Sequence, residues 1–325
     1  MLTIRNEHTD PYFNLAAEEW LTANSSEEIF MFWRNSPSVI VGRNQNTIAE
    51  IDPSFVDREN IAVVRRMSGG GSVFHDLGNI NYTYIANGVD GFCDFTRFSE
   101  PVIAALNALG VPAESAGRND ITADGKKISG NAQYVMSGRV LHHGTLLYSA
   151  DLTKLTGALR TDPAKYTSRG IKSVRARVCN IAEFLDTPPA VEDFLEHLRK
   201  FTSDYLGAPR PRPLTEQEEA GILTLREVKY LTREWNYGRV SDYGFTKKTR
   251  FDAGTLEVCL TARGGTIAEA RIFGDFFSKL PVADLEQNLT GVEHTPAGVR
   301  AALTEANYGD YLAGFGLEEV VETFF

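Results

Sequence analysis

The chain has 325 residues, room for one large domain and a smaller one, and its 42% hydrophobic and 23% charged content is that of an ordinary globular protein. A net charge of −10 lacks the basic footprint of a non-specific nucleic-acid binder, so no nucleic-acid partner is expected. Three scattered cysteines (Cys93, Cys179, Cys259) with no CxxC pair, no charged-then-apolar leader and no apolar run near ~18 residues argue against structural zinc, secretion and a membrane span, and lead us to expect a cytoplasmic protein.

Asp10-Pro11 reads as an N-cap followed by proline at the first helical position. Phe13, Ala17, Trp20 and Leu21 then recur on one face of an amphipathic helix, and Glu18 and Glu19 are expected on its solvated surface. Two strand-like runs follow, 29–33 and 39–41, joined by a turn at Asn35-Ser36-Pro37. Gly42-Arg43-Asn44-Gln45-Asn46 places polar groups just beyond an apolar strand, a usual position for a site on a loop.

Residues 64–84, VRRMSGGGSVFHDLGNINYTY, organise the rest. Three consecutive glycines are costly to order, and close approach of backbone to a ligand is a natural reason to accept that cost. Arg65 and Arg66 beside them supply planar, permanently charged forks suited to phosphate. The bland reading is a tight hairpin with both arginines on a solvated face. No lysine follows Gly71, as a Walker loop would need, and Phe74 stands where a dinucleotide fingerprint needs its third glycine. Ile80, Tyr82 and Tyr84 alternate with polar residues, so the motif predicts a strand–turn–strand phosphate site.

Residues 98–109 are helical by pattern, with Gly110 as the stop. After the polar segment Gly117-Arg118-Asn119-Asp120, the run Gly125-Lys126-Lys127-Ile128-Ser129-Gly130-Asn131-Ala132 and the partner run 140–149 predict a hairpin turning at Ser137-Gly138. Neighbours on a strand face opposite sides, so Lys126 and Lys127 cannot share a pocket, and His142 and His143 diverge too far for a metal pair. Cys179 lies between apolar residues and is expected to be buried and inert. Residues 165–177 form the most basic stretch, which by itself reads as an exposed loop.

Phe194, Leu198, Phe201 and Tyr205 mark a further amphipathic helix ended by Gly207, and Thr215 with Glu218 has capping-box spacing. Residues 236–250 are the candidate linker. Beyond it, two runs flanking Gly264-Gly265 predict a hairpin, and helices are expected near Ala283 and at Thr295-Pro296. Clustered strands rather than strict strand–helix alternation indicate an α+β protein with mixed sheets.

The arginine pair, glycine triplet and Val-Phe-His-Asp-Leu-Gly-Asn run resemble the signature of the lipoate-protein ligase A family. DPYFNLAAEEW, FWRNSPSVIVGRNQN, Lys127-Ile-Ser-Gly-Asn-Ala and Trp235-Asn-Tyr-Gly extend the resemblance over nearly the whole chain. It implies a class II aminoacyl-tRNA synthetase/biotin ligase-like catalytic core over residues 1–245 and a small C-terminal α/β domain over 246–325. It also implies ATP and Mg²⁺ as cofactors, with lipoate activated to lipoyl-AMP and then transferred to a lysine of acceptor lipoyl domains. The acceptors implied are those of 2-oxoacid dehydrogenase complexes or the glycine-cleavage H protein, and the chain is taken to act as a monomer.

The resemblance assigns Arg66 and the backbone of Gly71, Ser72, Val73 and Phe74 to the nucleotide phosphates. It selects Lys127 over Lys126 as the catalytic group bridging carboxylate and α-phosphate, and gives Trp33, Arg65 and His143 to the lipoyl side. It makes Gly170, Ser173, Val174 and Arg175 part of a loop that closes over the adenylate, where exclusion of water would protect a mixed anhydride. Some family members carry an arginine where this chain has Gln133-Tyr134, which bears on one secondary acyl contact. Two other readings share these residues: an acyl-carrier-dependent octanoyl or lipoyl transferase that uses no ATP, and a non-catalytic protein that binds acyl-adenylate.

Overall fold

The computed structural model describes residues 1–90, 92–159, 178–237, 244–263 and 265–325. Its strands in chain order are β1 (Leu2–Arg5), β2 (Ile29–Trp33), β3 (Ser38–Val41), β4 (Ala62–Arg65), β5 (Val73–His75), β6 (Asn79–Asn87), β7 (Ala113–Ala116), β8 (Asp120–Ala123), β9 (Lys126–Met136), β10 (Arg139–Leu147), β11 (Arg212–Pro213), β12 (Phe245–Phe251), β13 (Gly254–Arg263) and β14 (Thr266–Gly274).

Eight of these make one mixed sheet in the order β11-β1-β2-β6-β10-β9-β8-β7. β1 runs parallel to β2 and β11, and the rest pair antiparallel. The predicted turn between β9 and β10 is present: Ser137 and Gly138 both take positive φ (54° and 71°), the geometry of a two-residue hairpin turn. Helix Pro11–Asn24, capped by the Asp10 side chain on Tyr12 N–H, buries Phe13, Ala17 and Leu21 against one face of this sheet. Helices Phe95–Ala108 and Val191–Tyr205 cover the other face, around Tyr82, Ile121, Leu146 and Tyr148.

A second sheet, ordered β4-β3-β5, changes the reading of the glycine segment. β3 lies between the strands that flank the glycines, parallel to β4 and antiparallel to β5. The segment is therefore a crossover passing over the end of β3, and the tight hairpin is corrected. The turn at 35–37 likewise carries the chain from the large sheet into the small one.

The C-terminal strands β12-β13-β14 form an antiparallel meander, covered by helices Val282–Leu289, Pro296–Glu305 and Leu317–Thr323 around their own apolar core. The candidate linker is shorter than 236–250, since Asn236 is buried and β12 already begins at Phe245. Among the described residues, no helix is long and apolar enough to cross a membrane.

Candidate active site

One pocket gathers residues from both predicted segments. Arg66, Gly70, Gly71, Ser72, Val73 and His75 line it from the glycine crossover. Lys127, Gly130, Asn131 and Ala132 of β9 line it from the opposite side, with His143, Gly144 and Thr145 of β10. Leu15, Trp33 and Ile40 add apolar surface. The crossover belongs to the small sheet and the lysine hairpin to the large one, and the contact of Ser68 Oγ with His143 Nε2 of β10 (2.6 Å) joins them.

Arg66 holds the crossover from within. Its Nε donates to Ser68 Oγ (3.0 Å), Nη1 to Ile40 O (3.2 Å), and Nη2 to Gly69 O (2.5 Å) and Gly71 O (2.9 Å). With no carboxylate bonded to it among the described residues, burial lowers its pKa to about 10, which still leaves it cationic at neutral pH. Two of the glycines are required for different reasons. A Cβ on Gly69 would lie 2.0 Å from Phe276 O of the C-terminal module, while Gly70 has φ +89° and donates its N–H to Phe276 O (3.2 Å). Gly71 meets nothing within 4 Å at its Cβ position and, with Gly70, lines the pocket. Arg118, over the Phe277 ring at 4.7 Å and bonded to Ala253 O, strengthens the contact between core and C-terminal module.

A buried polar chain runs behind the lining. Ser68 Oγ meets His143 Nε2 at 2.6 Å, and His143 Nδ1 meets the Glu18 carboxylate at 2.9 Å. Thr83 Oγ1 donates to Glu18 (2.6 Å) and accepts from Trp33 Nε1 (2.8 Å). The expectation that Glu18 and Glu19 are solvated is overturned. Glu18 is 3% exposed, and Glu19 takes an ion pair from Lys229 (2.7 Å) and the Tyr230 hydroxyl (2.6 Å). The helix buries two faces, since it lies between the sheet and the segment around Lys229.

Lys126 is exposed and Lys127 reaches the pocket, as strand alternation requires. The Lys127 ammonium pairs with Asp120 at 2.7 Å and lies beside Gly130, where a Cβ would come within 3.1 Å of Nζ. His142 faces the other side, bonded to Tyr82 (3.2 Å) and Gln133 (3.1 Å) and stacked on Phe98, and burial drives its pKa well down.

Family models match two parts of the chain: the lipoyl protein ligase A/B catalytic domain over residues 10–202, and the bacterial lipoate protein ligase C-terminus over residues 241–324. Lipoate–protein ligase 1 of Staphylococcus aureus is 42% identical, with 97% of each chain covered. Lipoate-protein ligase LplJ of Bacillus subtilis is 39% identical, with 100% of each covered. The chain belongs to the lipoate-protein ligase family. Among solved structures, P. falciparum LipL1 in complex with lipoate superposes with a TM-score of 0.81 over 99% of this chain and 98% of its own, and at 23% identity it speaks for the fold. A lipoate-protein ligase A bound with ATP matches at 29% identity and TM-score 0.64, covering 74% of this chain and 99% of its own.

Within this ligase fold the expected site residues divide. Arg66, Gly71, Ser72, Val73, Lys127, Trp33 and His143 line the common pocket. Arg65 is corrected. Its guanidinium points away from the pocket and donates to the carbonyls of Gly42, Arg43 and Gln45 (2.7–2.9 Å), to Trp235 O (2.9 Å) and to Thr47 Oγ1 (2.6 Å). Parallel pairing of β4 with β3 turns alternate residues to opposite faces, so adjacent arginines diverge. The Phe74 ring is packed in the core around Val39, Val63 and Ile51 and its backbone pairs with Val39 of β3, so Phe74 is not part of the pocket lining. Gln45, in the polar loop 42–46, braces the crossover by accepting from Gly42 N–H (2.9 Å) and Ser72 Oγ (2.8 Å). Gly170, Ser173, Val174 and Arg175 lie outside the described residues, as does the basic stretch 165–177. Sequence reasoning missed Glu18, His75 and Asp120 as members or neighbours of the site. Glu18 and His75 lay inside quoted motifs, DPYFNLAAEEW and the Val-Phe-His-Asp run, and Asp120 closed the polar segment before the lysine run.

Proposed function

We propose that this ligase activates lipoate with ATP, forming lipoyl-AMP and pyrophosphate, and then passes the lipoyl group to a lysine of an acceptor lipoyl domain. The observation that carries the reading is the single pocket that joins an apolar end (Leu15, Trp33, Ile40) to a buried arginine-held loop and a lysine ammonium. The apolar end suits the aliphatic acyl chain, and the loop and ammonium suit a polyanion. A carboxylate oxygen attacks the α-phosphorus and pyrophosphate departs. The ε-amine of the acceptor then attacks the acyl carbon and AMP departs, so the nucleophiles come from the substrates and no enzyme nucleophile is needed.

Lys127 acts where these charges meet. In the resting site its ammonium is paired with Asp120, and the incoming carboxylate and α-phosphate compete for it. Placed between them it offsets their repulsion and the charge that develops on the bridging oxygens. Arg66, committed to four acceptors of its own loop, keeps Gly71 and Ser72 in place and adds positive potential.

The donor chemistry suits Mg²⁺, which takes one or two carboxylates plus phosphate oxygens and water. Asp120, beside the pocket lysine, and Asn119 in the lining are the oxygen donors that would hold it, and the ion would supply charge neutralisation on the phosphates. The acceptors are lipoyl domains of 2-oxoacid dehydrogenase complexes or the glycine-cleavage H protein, and the enzyme works as a cytoplasmic monomer. The 29%-identical Thermoplasma acidophilum bipartite lipoate protein ligase, which forms a lipoylation system with its E2 lipoyl domain, supports the class of acceptor. The test is ATP–pyrophosphate exchange driven by lipoate. Exchange is expected, and its absence with transfer from an acyl carrier would convert the reading to a transferase.

A further inference from the structure

The floor of the pocket is a row of residues laid across adjacent strands of the large sheet. Trp33 of β2 stands opposite Asn81 of β6, and Asn81 opposite Thr145 of β10, whose Oγ1 accepts from Gly130 N–H of β9 (3.2 Å). Residues directly opposite share a face of the sheet, and all of these line the pocket. Lys127 marks one end of the row, since a Cβ on Gly130 would lie 3.1 Å from its Nζ. His75 marks the other end, its ring centroid 6.2 Å from that of Trp33. With strands ~4.8 Å apart, Gly130 to Asn81 is about 10 Å and Gly130 to Trp33 about 14 Å. An extended carbon chain advances ~1.3 Å per bond, so an eight-carbon acid reaches ~9 Å from its carboxyl carbon. A carboxylate held at Lys127 therefore brings the far end of the chain over Asn81, toward Trp33 and His75.

That end of the pocket is not wholly apolar. His75 is 3% exposed, and its Nε2 has no hydrogen-bond partner among the described residues. Asn81, 1% exposed, accepts from Asn79 Nδ2 (2.9 Å) and leaves its own amide nitrogen without a partner among them. Which His75 nitrogen carries the hydrogen is set by a chain of amides read in one direction. His8 N–H donates to Asn6 Oδ1 (3.0 Å), so Asn6 presents its Nδ2 to Asn14 Oδ1 (2.9 Å). Asn14 Nδ2 faces the carbonyls of His8 and Arg34, which cannot donate, and also Asn35 Oδ1 (2.9 Å). Asn35 is left with its Nδ2 toward His75 Nδ1 at 3.1 Å, so Nδ1 accepts and the hydrogen sits on Nε2. Burial, with Arg66 and His143 nearby, pushes the His75 pKa down to about 3, and the ring is neutral at physiological pH. Two buried, uncharged N–H donors thus stand where the last carbons of the acyl chain arrive.

We propose that His75 and Asn81 select the acyl substrate by its far end, donating to the ring sulfurs of a cyclic disulfide and disfavouring a plain alkyl tail. The inference rests on the ligase reading, which makes lipoate the substrate. Lipoate carries its sulfurs on the sixth and eighth carbons, the part of the chain that the row of strands brings over Asn81. A disulfide sulfur is a weak acceptor and a polarisable atom that packs well against an aromatic edge, here that of Trp33. An octanoate tail has neither property. A buried donor facing it loses water and gains no partner, which is how a polar site rejects an analogue lacking the matching atom.

The test measures kcat/KM in ATP–pyrophosphate exchange with three acids: lipoate, octanoate, and the carbocycle in which methylene groups replace both sulfurs of lipoate. Wild-type enzyme is expected to favour lipoate over each of the others by roughly tenfold. The carbocycle keeps the ring's shape, so its use on a par with lipoate would overturn the proposal without any variant. His75→Leu is expected to bring the three acids within about threefold of one another. His75→Gln, which keeps an N–H in the same region, is expected to retain most of the preference. An unchanged ratio in folded His75→Leu, the result if ordered water already satisfies the donors, overturns the proposal, as does an equal loss with all three acids. A separate readout is the ¹⁵N spectrum of wild-type enzyme labelled in its six histidines, with the His75 signal assigned by its loss in His75→Gln. An Nε2–H tautomer is expected, and an Nδ1–H tautomer overturns the role of His75 whatever the activity. Failure of the ligase reading would show differently, as wild-type enzyme without exchange on any of the acids.

Discussion

The two walls of the pocket are built to different standards. On the glycine-crossover wall the polar side chains are anchored: Arg66 has four acceptors, Ser72 is bonded to Gln45, and His75 is held through its Nδ1 by Asn35. On the opposite wall Lys127 keeps 38% of its side-chain exposure and one ion pair. A group that only positions substrate benefits from being fixed, since no reorganisation is then needed during the reaction. A group that must exchange one anion for others has to remain free to move. The difference predicts that the walls fail differently. Lys127→Ala is expected to lower lipoate-dependent pyrophosphate exchange by about a hundred- to a thousand-fold, with the thermal midpoint nearly unchanged. A large fall in that midpoint would mean that Lys127 is as structural as Arg66 and would break the comparison.

Arg65 sharpens the point from the other side. Its fork satisfies carbonyls of Gly42, Arg43 and Gln45 and secures the segment at Trp235 and Asn236, so it supports the fixed wall from behind. Arg65→Leu strands several of these acceptors and is expected to cost about 3 kcal/mol of stability in urea denaturation, with folded molecules retaining their affinity for lipoate. Arg65→Lys cannot reproduce a five-donor fork and should recover only a part. Lost lipoate affinity in a fully folded Arg65 variant would return the residue to the acyl site.

Much of this was legible in the chain itself. Alternation placed β6, β9 and β10 and separated Lys127 from Lys126 and His143 from His142; capping signals placed the helices starting at Pro11, Glu216 and Pro296. What stayed hidden depends on contacts distant in sequence. Arg65 and Arg66 diverge by alternation, but which of them meets the pocket depends on how β4 pairs with β3, and periodicity cannot report that pairing. Glu18 looks like any helix-surface acid until Thr83 and His143 are brought against it. Gly69 must be glycine because of Phe276, some two hundred residues later, and a local reading naturally assigns such a glycine to a ligand. The His75 tautomer needs Asn6, Asn14 and Asn35 together, none of which is conspicuous alone.

The fixed wall also carries a pH signature. An unfolded chain takes up a proton on His75 as pH falls through its ordinary value of 6.5, whereas the folded protein refuses it until about pH 3. Stability is therefore complete above about 6.5 and falls as pH drops below it, by up to ~1.4 kcal/mol per pH unit for each such histidine. His142, buried on the other face of the sheet with its pKa also driven down, adds a second contribution of the same sign. Urea denaturation at pH 7, 6 and 5 should show the decline, and His75→Gln should flatten it in part. An identical slope in His75→Gln would mean that the buried ring does not resist protonation.

The smallest effect is expected at Asp120. Its ion pair with Lys127 is about one-third exposed on both sides, a class of contact that contributes at most ~1 kcal/mol, so Asp120→Asn should leave the thermal midpoint within a degree or two. Its consequence for exchange is less simple, because the carboxylate both restrains the ammonium and offers an oxygen to a divalent ion. Asparagine keeps the shape and one acceptor oxygen but removes the charge, which weakens the restraint while leaving Lys127 present. If restraint were the whole role, the KM for ATP would change little and the Mg²⁺ requirement not at all. If the carboxylate also serves the ion, the Mg²⁺ concentration giving half-maximal exchange should rise several-fold in Asp120→Asn, with kcat at saturating Mg²⁺ recovering to near the wild-type value. A Mg²⁺ titration of the two proteins separates the outcomes, and an unchanged midpoint would confine Asp120 to holding the mobile lysine.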